Sequence, residues 1–201
     1  MSTSPTAAPA AKSTIGLKNL VVAPLTVDTE AGVTYGDLQL VAGAIEATIA
    51  PGTADPDIQY ADDVEYDVLY PDPEITLTIS TADIPLAIQK LLLGNKIDDN
   101  GVLIRSVDDN PGYFAVGFKS EKTDHTYRYV WLYKCRPKPI TENYGTKQGT
   151  TIDRKTSEIE FTAIKRTYDG RYQAIADEGQ NEFAGDATFL TSVYSPTFTN
   201  T

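Results

Sequence analysis

The chain has 201 residues and a formal net charge of −11, with a single Cys, Met, Trp and His. A lone Cys135 excludes an internal disulfide and a cysteine-built metal cluster, and a lone His125 leaves little for nucleophilic catalysis. The acidic balance argues against tight nucleic-acid binding, which needs clustered cations against phosphate.

The charge is segregated. Between Asn19 and Gln89 there is no Lys or Arg, yet thirteen Asp and Glu fall there. Residues 90–201 hold fifteen of each sign, so the whole deficit lies in residues 1–89. Carboxylates in so long a cation-free run must face water, a metal or another basic surface. The 12 Tyr, 14 Gly and 12 Pro, with many Thr, Val and Ile, favour strands and turns over helices.

In chain order, residues 1–14 read as a flexible arm of small and polar residues, with no apolar run that a leader would need. No segment reaches the length of a membrane span, and a protein made in the cytoplasm is expected. A first strand is predicted over 16–25, with a turn at 28–32. Residues 38–50 read as a second run, with Ile45, Ala47 and Ile49 inward and Glu46 and Thr48 outward. Residues 53–73 hold Asp55, Asp57, Asp62, Asp63, Glu65 and Asp67 among strand-like apolar residues. Prolines and charges resist a central strand there, so a long hairpin or loop reaching away from the core is expected.

Residues 74–80 alternate strictly, with Ile75, Leu77 and Ile79 inward and Glu74, Thr76, Thr78 and Ser80 outward. A helix is predicted over 83–93, with Asp83 as N-cap and Gly94 as its stop. Strands are predicted over 102–107 and 113–119. The strongest lies at 126–136, with Tyr127, Tyr129, Trp131, Tyr133 and Cys135 on one face and Arg128, Val130, Leu132, Lys134 and Arg136 on the other. Residues 158–166 alternate too, with Glu158 and Glu160 on the polar side. A single β domain is expected over 15–176, a sandwich or barrel with the helix on its flank. Residues 177–201 read as an arm that orders on a neighbour.

Chemical sites are weakly signalled. The acidic segment and Asp98-Asp99-Asn100-Gly101 lack the full spacing of a calcium loop, and such clusters commonly serve as turns. A carbohydrate- or calcium-binding β-sandwich is the alternative reading; neither a cofactor nor a metal is expected. The aromatic ladder on 127–133 reads as core. The cations Arg128, Lys134, Arg136 and Lys138, with Lys147, Arg154 and Lys155, are the natural electrostatic partner of the acidic segment; the two can meet within one chain, but so long a cation-free run points to contact between chains.

Gly16-Leu17-Lys18-Asn19-Leu20, the stretch 53–67 with Tyr60-Ala61-Asp62-Asp63, the capped helix, and the strand ending in Pro137 and Pro139 carry a resemblance. Over about 16–176 the chain resembles the major tail tube proteins of long, non-contractile-tailed phages of Gram-positive hosts. The resemblance implies a non-enzymatic virion protein with a β-sandwich-like fold and one flanking helix, assembling in the host cytoplasm into hexameric rings that stack into a tube. It implies an acidic lumen through which viral DNA passes unbound, and partners among the tape measure, tail terminator and distal tail proteins. It makes 53–73 an inter-subunit loop. Glu46, Glu74, Glu158 and Glu160, on polar strand faces, are the expected lumen residues.

Overall fold

The structure, a computed structural model, describes residues 12–52, 57–61, 64–69, 74–146, 155–179, 183 and 188–198. The chain enters through a long strand, β1 (Thr14–Thr29), which turns into β2 (Gly32–Tyr35) and the short β3 (Gln39–Leu40). β4 (Ala44–Pro51) leads to a hairpin of β5 (Asp57–Ala61) and β6 (Val64–Leu69). β7 (Ile75–Thr81) precedes the helix α1 (Leu86–Leu93) and a small hairpin, β8 (Lys96–Ile97) and β9 (Leu103–Ile104). The long strands β10 (Phe114–Lys122) and β11 (Tyr127–Pro137), then β12 (Ser157–Ala163) and β13 (Gln173–Asp177), complete the fold.

One nine-stranded sheet runs β2-β1-β10-β11-β12-β7-β4, with β3 also on β1 and β13 also on β11. β11 is the hinge of this arrangement. Its residues 128–132 pair with β13, and its residues 135–137 pair with β12. The change of partner lets the sheet fold over, so that Leu77, Ile79, Ile159 and Phe161 of β7 and β12 pack with Val22, Val116 and Leu132 of β1, β10 and β11. The mainly β architecture with one helix is the one expected from the sequence, and the strict alternation over 75–81 appears as a buried-intermediate alternation along β7.

A bulge in β11 revises the predicted faces. Phe114 stands opposite Cys135 while Val116 stands opposite Leu132, so two steps on β10 answer three on β11. The extra residue reverses the alternation. Cys135 therefore joins Val130 and Leu132 in the first core instead of the aromatic face. Lys134 and Arg136 move the other way, and both lie over the ring of Tyr113. A similar shift between Ala44 and Glu46 turns Ile45 outward, leaving Ala44, Ala47 and Ile49 on the core.

The back of the sheet carries a second core of Tyr129, Trp131, Tyr133, Val21, Ala23, Ala115 and Phe189. The C-terminal segment, expected to order on a neighbour, packs in its described part on its own chain. Trp131 donates from Nε1 to the Phe189 carbonyl at 2.8 Å, and the Phe189 ring meets those of Tyr129 and Phe183. Beside this core the buried Arg166 guanidinium lies 3.8 Å over the Tyr133 ring and bonds Asp169 and the Tyr35 hydroxyl.

The helix starts three residues later than predicted. Asp83 accepts from the N–H of Ile84 rather than capping the helix, and Pro85, with φ −54 and ψ 142, holds the cap position. Gly94 closes the other end at φ 72, a left-handed conformation that glycine adopts without a Cβ penalty.

Candidate functional site

The groups able to do covalent chemistry are occupied. Burial raises the Cys135 thiol pKa well above its ordinary range, and a buried neutral thiol is inert. His125 sits exposed on a turn at φ 65 beside Glu121. Asp98 spends its carboxylate on the N–H groups of Asn100 and Val102 at 2.9 and 2.8 Å, closing its own turn. Among the described residues no group of three or more His, Cys, Asp or Glu is placed to hold a metal ion. No helix there is long and apolar enough to cross a membrane. The distinctive features are surfaces.

The first surface is the outward face of β4, β7 and β12. Strand register aligns Glu46, Ser80 and Glu158 in one row, and Thr48, Thr78 and Glu160 in the next. Thr76 and Thr162 follow, and Glu74 precedes β7 with the same parity. The face is thus a carpet of hydroxyls studded with the four carboxylates named from the sequence, because the other side of each strand is committed to the core. Arg136 stands opposite Thr162 in the ladder, and Lys138 pairs with Glu160, so this end of the face also carries cations.

Arg128, Lys134 and Lys138 find acids within the chain. Arg128 makes a bidentate pair with Asp177, at 2.7 Å for each bond, and the buried Lys122 reaches the same carboxylate at 2.9 Å. Lys134 bonds Asp28 at 2.6 Å, where both side chains are largely buried. Arg136 donates to the Asn110 side-chain carbonyl at 2.9 Å. Lys155 precedes β12 next to Gly145. Arg154, Asp55, Asp62 and Asp63 lie outside the described residues; Asp57 and Glu65 belong to β5 and β6.

These pairs predict an acid response. Burial raises the Asp28 pKa, but the bonds from Lys134 and from the N–H groups of Thr167 and Tyr168 outweigh it and hold the carboxyl at about 2. Arg128, aided by Lys122, holds Asp177 at about 2 as well. Both values are depressed in the fold, so the stabilisation is complete above about pH 4, the ordinary Asp range, and is lost as pH falls through the folded values. Thermal stability is expected to drop steeply over that window. An Asp28→Asn, Asp177→Asn double variant should show a flatter acid limb in a melting series. A limb as steep as the wild type's would contradict the assignment.

The second surface is the β5–β6 hairpin. Val64, Tyr66 and Val68 alternate along β6 at 65, 76 and 39% exposure, and Ile58 stands opposite Val68. The register shifts by one residue at Tyr66, and Asp67 beside it is exposed. None of the four apolar residues belongs to either core. A two-stranded hairpin with uncovered apolar side chains is marginal in water by itself. Reasoning from charge passes over this stripe, although its signal is plain: Val64-Glu65-Tyr66-Asp67-Val68 alternates as a half-buried strand does.

Comparison with known proteins adds one finding. A family model described as phage tail tube protein matches residues 11–197. No curated protein matches the chain.

Proposed function

The chain belongs to the phage tail tube protein family, and on that footing we propose that it is the repeating, non-enzymatic subunit of a hollow tail tube. Copies form rings, hexameric by the family resemblance, and the rings stack head to tail, a contact geometry that permits open-ended growth. The β5–β6 hairpin carries this reading. Its exposed Val64, Tyr66 and Val68 are the kind of apolar side chains that a neighbouring copy covers.

The outward face of β4, β7 and β12 lines the channel in this reading. Glu46, Glu74 and Glu158 repel the phosphates of passing DNA, the threonine hydroxyls offer only neutral contacts, and Glu160 is tied to Lys138 at the rim. The carboxylates of the acidic segment, Asp55, Asp57, Asp62, Asp63, Glu65 and Asp67, add an electrostatic component at subunit contacts, facing cations left without an acid among the described residues, Arg136 first among them. Other tail components cap, measure and terminate the tube, which assembles in the host cytoplasm.

Sedimentation across a concentration and salt series tests the reading. Large particles should grow above a threshold concentration. Added salt should slow their growth, because exposed charge pairs are screened over about 8–10 Å at physiological ionic strength. The apolar hairpin contact should keep the particles from dissolving. A species that stays monomeric at every concentration and salt would sink the proposal.

A further inference from the structure

We propose that the hollow at the C-terminal end of β11 is a carboxylate-binding pocket, and that a second copy of this chain fills it with Asp67 of its hairpin. The inference rests on the tube reading and names where the hairpin's exposed Asp67 carboxylate lands. The hollow has a volume of about 360 Å³ and is walled by Tyr113, Arg136, Pro137, Lys138, Thr162 and Ile164.

Four cations stand on β11 and its extension, and three are neutralised within the chain: Arg128 by Asp177, Lys134 by Asp28 and Lys138 by Glu160. Arg136 is different. Its bond among the described residues goes to the neutral side-chain carbonyl of Asn110 at 2.9 Å. A guanidinium has five N–H donors in a rigid fork that matches a carboxylate in bidentate fashion. The fork is held in place, 5.7 Å from the centre of the Tyr113 ring, a stacking that orients arginine without neutralising it.

The surroundings suit an acidic side chain arriving from outside. Prolines on either side of Lys138 fix the backbone of the wall. The Lys138–Glu160 pair is half exposed on both sides, 49 and 40%, so it is weak and can rearrange as a new anion arrives. Thr162, directly opposite Arg136, adds a hydroxyl to the same wall.

Charge complementarity selects the occupant. A second copy brings a run from Asn19 to Gln89 with thirteen acids and no cation, and its hairpin projects part of that run. The hairpin leaves Val64, Tyr66 and Val68 exposed, and Asp67 stands exposed among them, beside the bulge at Tyr66. Seated on an adjacent subunit, it lays its exposed apolar side chains on the surface around the hollow and sets its carboxylate into it.

Charge reversal and charge swap test the pocket. Arg136→Glu should raise the concentration needed for assembly by roughly tenfold, in keeping with loss of an interfacial charge pair. Circular dichroism of the monomer should be unchanged, because Arg136 is exposed. Arg136→Lys keeps the charge without the fork and should fall between Arg136→Glu and the wild type. Asp67→Arg alone should impair assembly similarly, and the Arg136→Glu, Asp67→Arg double variant should recover most of it. If wild type forms tubes and Arg136→Glu does so equally well, the pocket proposal falls while the tube reading stands. Impairment without recovery in the swap overturns Asp67 as the occupant. Normal assembly with weaker retention of a short DNA duplex would assign the hollow to phosphate instead. A wild type that never assembles removes both readings.

Discussion

Trp131→Ala should lower the unfolding free energy by about 3–5 kcal/mol, the range for removing a large side chain from a packed core. Trp131 is fully buried at the centre of the longest hairpin, β10–β11. Its ring lies so close to Gly117 that a Cβ at that position would sit 2.7 Å from Cε3. The surrounding strands cannot collapse far into the vacated space, because β11 is hydrogen-bonded on both sides by β10 and β13. The indole N–H also holds the Phe189 carbonyl at 2.8 Å, so truncation strands a polar group as well as leaving a cavity.

The second consequence is local. Phe189 is seated by Trp131 and Tyr129 and in turn stacks on Tyr194 at a centroid distance of 4.9 Å. Without the indole, the segment 188–198 should be cleaved by protease well before the sheet unfolds. Trp131→Phe, which refills most of the volume but cannot donate, should cost far less stability yet still loosen that segment. Denaturant titration and timed proteolysis read the two effects separately. A Trp131→Ala variant within about 1 kcal/mol of wild type, with an equally resistant tail, would contradict the packing described.

Tyr66→Asp should abolish or severely impair assembly while leaving the monomer folded. Tyr66 is 76% exposed, and a substitution at such a site usually changes folding stability by no more than about 0.5 kcal/mol. In the proposed assembly a neighbouring copy covers the same side chain, along with Val64 and Val68, and each buried apolar side chain of this size is worth about 1.5–3 kcal/mol. A carboxylate in that seat forfeits the burial and must be desolvated. The threshold concentration for assembly should rise on the order of 100-fold, taking about 1.4 kcal/mol per factor of ten. Monomer melting and pelleting assays on one preparation distinguish the outcomes. Tubes at the wild-type threshold would remove the apolar stripe from the interface and leave charge as the main attraction.

Much of the fold was legible because its strands obey a simple rule. Ile75, Leu77 and Ile79 against Thr76, Thr78 and Ser80 could only be a strand with one face on a core, and Ile159, Phe161 and Ala163 repeat the pattern. Gly94 marked the helix end because the position needs a left-handed residue. The bulge in β11 was not legible, because Tyr-Arg-Tyr-Val-Trp-Leu-Tyr-Lys-Cys-Arg alternates without a break and the extra residue is absorbed in pairing with β10. The strand Gln173–Asp177 escaped notice for a similar reason: it is short, alanine-rich and defined by its partner.

The ion pairs teach the same lesson at longer range. Lys134 and Asp28 are 106 residues apart, and nothing in local sequence joins them. Segregated charge correctly marks which half of the chain is acidic, but not which acids are already partnered by the fold. Asp28 belongs to the cation-free run and is nonetheless tied to Lys134. Charge also drew attention to the carboxylates of the hairpin and away from Val64, Tyr66 and Val68, which alternate with them.

Electron microscopy of the concentrated wild-type protein, followed by reconstruction of whatever particles form, tests the central claim most directly. The account predicts hollow tubes of stacked rings, with the face bearing Glu46, Thr78 and Glu158 turned toward the channel and the β5–β6 hairpin seated on an adjacent copy. Tubes in which that face lies on the outer wall, or a protein that remains a lone monomer at every concentration tried, would contradict it.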